Sequence, residues 1–125
     1  MTFSQAVSSV LLNKYATFSG RARRSEYWWW YLFVTIVFLV ASVIDQAIGF
    51  TYSDLTLGGG WLATIAAIVF LVPNLAVGVR RLHDTGRSGW WLLIGLVPLI
   101  GVIVLIYFFV QDSENDNQYG PYPKA

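Results

Sequence analysis

WWLLIGLVPLIGVIVLIYFFV, running from Trp90 to Val110, contains no charged residue. A helix rising about 1.5 Å per residue needs about 20 predominantly apolar residues to cross the hydrocarbon core of a bilayer. The stretch has that length, opens on two tryptophans and closes near Tyr107. Rings with an apolar body and a polar edge settle at the membrane–water boundary, so their placement marks the ends of a span. Two earlier stretches read the same way: Tyr27 to Gly49, which begins with five aromatic residues, and Trp61 to Val79. The expected fold is all-α, an integral membrane protein with three transmembrane helices over about 27–49, 61–79 and 90–110. A polar tail, 111–125, completes a single membrane domain over 1–125.

Composition supports this reading. The 125 residues are 56% hydrophobic and only 12% charged, where a soluble domain carries about 25% charged residues. A chain this short buries too little of its surface to hide that apolar excess without lipid or a partner. Cysteine is absent and His83 is the sole histidine, which removes disulfides, thiolate chemistry and multi-histidine metal sites. Met1 to Asn13 lacks the pattern of a cleaved signal peptide, so the N-terminal segment is expected to be retained. No catalytic residue, metal, cofactor or nucleic-acid partner is expected.

Local signals refine the picture. Ala6, Val7, Val10, Leu11 and Tyr15 recur at helical spacing within Ser4 to Thr17, predicting an amphipathic helix on the membrane surface with Ser4 as its cap. Asp45 lies roughly 25 Å along the helix axis from Trp28, so it reads as an interfacial carboxylate reaching water. Pro73 predicts a kink, and Asn74 a hydrogen bond across the bundle. Asp54 and Gly58-Gly59-Gly60 predict a turn. Asp112 to Asp116 alternates acids as a calcium loop does, but Asn117 and Pro123 stand where its glycine and bidentate acid belong. Pro98 and Gly101 sit midway through the third stretch and leave an alternative. A re-entrant hairpin with two arms of about ten residues, each too short to span, would return the tail to the side it came from.

The charges are sorted by side. Lys14, Arg21, Arg23 and Arg24 precede the first span, and Arg80, Arg81 and Arg87 lie between the second and third. The first loop has no lysine or arginine, and the tail has Lys124 alone. Basic segments stay cytoplasmic, which predicts a cytoplasmic N-terminus and, in the three-span arrangement, an external tail. Arg21, Arg23, Arg24, Arg80, Arg81 and Arg87 then form a belt at headgroup depth, suited to phosphate oxygens at roughly 1 kcal/mol per cation. Arg23, Arg81 and Arg87 are the candidate core of a defined anion site. Glu26 and Asp84 are expected to pair with the arginines and lock the loop against the N-terminal segment, and His83 is expected to serve as a structural pairing residue beside them.

Three motifs recur together: Phe18-Ser19-Gly20-Arg21 through Arg24-Ser25-Glu26-Tyr27-Trp28; Arg80-Arg81-Leu82-His83-Asp84 through Gly86-Arg87-Ser88-Gly89-Trp90-Trp91; and Asn117 with Tyr119-Gly120-Pro121 and Pro123. On these residues the chain resembles the YhaH-like proteins, labelled domain of unknown function 805, over nearly its whole length. The resemblance implies a small multi-span protein of the bacterial inner membrane, with no assigned catalytic residue or cofactor. The expected function is that of a non-enzymatic accessory or regulatory protein contacting anionic membrane lipid, alone or with a homo-oligomeric or membrane-protein partner. The alternative is an oligomeric channel or carrier for a small anion.

Overall fold

The computed structural model describes residues 2–52, 59–115 and 117–120. Among these residues no strand forms, and four α-helices are joined by one 3-10 helix and one π-helical turn. Helix α1, Phe3–Ser8, starts at Thr2 rather than Ser4. The Thr2 hydroxyl accepts from the Gln5 amide, and the Gln5 side chain accepts from the Thr2 amide. This reciprocal capping box satisfies two otherwise orphan donors. The chain continues as a π turn over Ser9–Asn13. Ala6 and Val10 are fully buried, and Val10 joins Trp30, Phe70 and Val77 in the core. The apolar side of this N-terminal helix thus covers α2 and α3.

Helices α2, Arg24–Ile48, and α3, Trp61–Asp84, are both long and apolar enough to cross a membrane. They pack side by side through Trp30, Phe33 and Phe70, whose rings meet edge-on at 5.5–5.9 Å or tilted at 5.5 Å, arrangements favoured by the ring quadrupoles. The Trp30 indole donates to Asn74 Oδ1 at 2.7 Å, the cross-bundle contact expected of Asn74. Helix α3 runs unbroken through Pro73.

At the far end of α2, Asp45 is wholly buried, not open to water as its position had suggested. Its carboxylate accepts from the Leu62 and Ala63 amides at 3.1 and 3.0 Å. Those are first-turn donors of α3, whose own cap position is Gly60 and offers no side chain. A carboxylate there satisfies orphan amides and complements the positive end of the helix dipole. The site demands glycine at 60, because a β-carbon would sit 2.1 Å from Asp45 Oδ2. Asp54 and Gly58 of the predicted turn lie outside the described residues.

The third apolar stretch differs from the single span expected over 90–110. Gly89–Leu96 forms a 3-10 helix, and Ile100–Val110 forms helix α4. Between them Leu99 adopts φ 65° and ψ −62°, and the Ile100 amide bonds back to the Pro98 carbonyl at 2.7 Å. These are the marks of a γ-turn. The arms then lie antiparallel so tightly that a β-carbon on Gly101 would stand 1.7 Å from the Ile94 carbonyl oxygen. At about 2.0 Å per residue for the 3-10 arm and 1.5 Å for α4, each arm is roughly 16 Å long. That is about half a hydrocarbon core. The stretch therefore folds as a hairpin of two short arms, and α4 ends beside the start of α2, where the Trp28 indole donates to the Phe109 carbonyl at 3.0 Å. Hydropathy alone cannot tell one span from two half-spans, since both present the same apolar run.

Candidate functional site

Arg21, Arg81 and Asp84 converge where the N-terminal segment, the end of α3 and the C-terminal tail meet. Asp84 is the last residue of α3, and Arg81 lies one turn before it. Asp84 Oδ1 accepts from Arg21 Nε at 3.0 Å, and Oδ2 accepts from Arg81 Nη1 at 2.7 Å and from the Ser113 hydroxyl at 2.5 Å. All three charged side chains are at most 2% exposed. A buried ion cluster of this kind persists only when its remaining donors are satisfied, and the tail does that here. Arg21 Nη1 donates to the Asn115 and Gly120 carbonyls at 3.0 Å each, and Nη2 donates to the Asp84 and Glu114 carbonyls.

The last carbonyls of α4 are orphans by helix geometry, and the helix brings no basic residue of its own to them. Cations from other elements do so instead. Arg81 Nε donates to Phe109 and its Nη2 to Gln111, while Arg24 donates to Val110 at 3.1 Å. These positive groups also match the negative end of the helix dipole. Arg87 donates to Gln111 Oε1 at 2.9 Å and lies 4.0 Å above the Phe108 ring, a cation–π contact.

A second buried pair stands beside the first. Arg80 Nη1 donates to Glu26 Oε1 at 2.8 Å, the Ser9 hydroxyl donates to the same oxygen at 2.9 Å, and Arg80 Nε donates to the Thr17 carbonyl. His83 Nδ1 donates to the Gly20 carbonyl at 2.9 Å, and its ring stacks parallel on Tyr119 at 4.0 Å.

The structure thus divides the predicted belt. Arg21, Arg80 and Arg81 are buried and bonded to protein, with Asp84 and Glu26 as their ionic partners. Arg24 is exposed, and Lys14, Arg23 and Arg87 are partly so. Arg23, Arg81 and Arg87 do not form one open anion site, because Arg81 is closed under the tail. What the sequence reading missed is that most partners of the arginines are main-chain carbonyls, which carry no residue signature. Asn117, Tyr119 and Gly120 did mark the tail, and Asn117 Nδ2 donates to the His83 carbonyl. In the acidic run, Ser113 and Glu114 are engaged in this clasp, and Asp116 lies outside the described residues.

Comparison with known proteins agrees on the family. The model of the family described as "Protein of unknown function (DUF805)" matches residues 15–121. The chain is similar to the inner membrane protein YhaH of Escherichia coli (strain K12), with 42% identity over 115 residues, 91% of this chain and 93% of that protein. It is also similar to the inner membrane protein YhaI of the same organism, with 42% identity over 117 residues, 93% and 92% of the two chains. The uncharacterized protein YiiR shares 32% identity over 81 residues, 65% of this chain and 50% of its own. No solved structure matches.

Proposed function

We infer that this chain, which belongs to the DUF805 family of bacterial inner-membrane proteins, is a non-enzymatic accessory or regulatory protein that gathers anionic lipid around one end. In this reading α2 and α3 cross the bilayer, the hairpin enters and leaves the cytoplasmic leaflet, and the N-terminal helix and residues 111–120, so far as they are described, face the cytoplasm. The observation that carries it is the sorting of charge. Every lysine and arginine among the described residues lies toward the end where the clasp forms, as cytoplasmic retention of basic segments requires. Three arginines build the clasp internally, which leaves Lys14, Arg23, Arg24 and Arg87 with exposed surface at headgroup depth.

The test is lipid enrichment. Protein extracted from vesicles of mixed phosphatidylglycerol and phosphatidylcholine should carry phosphatidylglycerol in excess of the starting mixture. Arg23→Ala/Arg24→Ala should reduce that excess severalfold, at roughly 1 kcal/mol per cation. The same excess on both proteins would overturn the reading.

A further inference from the structure

A groove of about 470 Å³ lies between α3 and the 3-10 arm of the hairpin. On one wall Leu75, Val79 and His83 follow one another every four residues, so they form a single ridge about 12 Å long on one side of α3. Leu92 and Leu93 of the arm form the opposite wall, and Phe18 also lines it. Leu75 and Leu93 are 42% and 55% exposed, so the groove opens sideways onto whatever surrounds the bundle. Its apolar length runs toward mid-helix, and its polar side chains, His83 and Ser88, stand at the end where the arginines gather.

The contact of His83 with Gly20 assigns a role to each ring nitrogen. A carbonyl oxygen only accepts, so the bond to Gly20 requires the hydrogen on Nδ1. With the Nδ1 hydrogen so engaged, Nε2 is the ring's acceptor atom, and it receives a hydrogen bond from a ligand that donates. The surroundings set the sign of that ligand's charge. Among the described residues at this end, Glu26, Asp84, Asp112 and Glu114 stand against Lys14 and six arginines.

We propose that this groove is a lipid site that holds one acyl chain of an anionic phospholipid whose headgroup carries a hydroxyl, with that hydroxyl donating to His83 Nε2. The chain lies along Leu75 and Val79, and the phosphate faces the basic end. A zwitterionic ethanolamine headgroup has donors for His83 but no net charge for the arginines, so a glycerol headgroup fits better. The proposal rests on the charge reading above for the sign of the ligand, and it differs in claiming one stoichiometric lipid in a defined place.

Native mass spectrometry of the full chain in mild detergent, with phosphatidylglycerol or phosphatidylethanolamine added, tests both readings at once. Wild type should retain a single phosphatidylglycerol at detergent concentrations that strip all others. Leu75→Trp and Leu93→Trp, which fill the groove from opposite walls at exposed positions, should each weaken that one adduct at least tenfold. His83→Phe keeps a ring to stack on Tyr119 but removes the acceptor, so it should weaken the single phosphatidylglycerol adduct severalfold while leaving the charge-based preference over phosphatidylethanolamine in place, and an unchanged adduct would overturn the role given to His83. Arg23→Ala/Arg24→Ala should strip the loosely held lipids and leave the single one. An unchanged single adduct in both tryptophan variants would overturn the groove site while leaving the exposed-cation reading intact. Loss of the adduct in the tryptophan variants, with loose lipid unaffected by Arg23→Ala/Arg24→Ala, would do the reverse.

Discussion

Tyr15 donates its phenol hydrogen to the main-chain carbonyl of Val69 in α3. Val69 lies four residues before Pro73, which has no amide hydrogen to return to it. An unpaired carbonyl inside a bilayer is costly, and the N-terminal segment supplies the missing donor. Tyr15→Phe should therefore lower unfolding stability by about 1–2 kcal/mol. In a Pro73→Ala background the new amide reaches Val69, and the same substitution should cost almost nothing. Denaturation of the four proteins of this cycle in one detergent gives the answer, and equal penalties in both backgrounds would refute the coupling.

Asp45 and Gly60 make a second coupled pair. Asp45→Ala leaves the Leu62 and Ala63 amides bare, at a cost of about 1–3 kcal/mol. Gly60→Ala should destabilise the native chain through its clash with the Asp45 carboxylate. Combined with Asp45→Ala, it should lose most of that effect. Thermal midpoints of the two single variants and the double variant provide the check.

The clasp predicts unequal arginines and acids. Asp84→Ala strands Arg21 and Arg81 together and should cost about 3–5 kcal/mol. Arg24→Ala at the exposed rim should cost under about 1 kcal/mol. Unfolding midpoints for the two variants would invert or coincide if the buried cluster were not holding the tail.

Sidedness follows from the hairpin. Because the native chain has no cysteine, Ser19→Cys, Tyr52→Cys and Gln118→Cys can each be probed with an impermeant maleimide in intact cells and in inverted vesicles. Residues 19 and 118 should label from the same side and residue 52 from the other. A single straight third helix would instead place 118 with 52.

How far these features were legible in the sequence differs by element. The first two spans were legible because long apolar runs flanked by tryptophan leave a bilayer-crossing helix as the one economical backbone solution. In the third run Pro98 and Gly101 signalled a break, yet its decisive feature is Leu99 at positive φ, which no leucine advertises. Leu99→Gly should accordingly gain up to about 1 kcal/mol of stability, measurable by the same denaturation. Of the site, the arginines and both acids were visible as charges. Their arrangement was not, because Arg21 meets carbonyls more than ninety residues away, and contact between such distant positions is decided by the fold.

The hairpin also gives the molecule a shape. Toward the arginines, the described chain is five segments thick: the N-terminal helix, α2, the lower part of α3, the 3-10 arm and α4. Toward Asp45 it thins to α2 and α3 alone. A body of that outline is a wedge, and with α2 and α3 set across a bilayer it would displace more lipid from one leaflet than from the other.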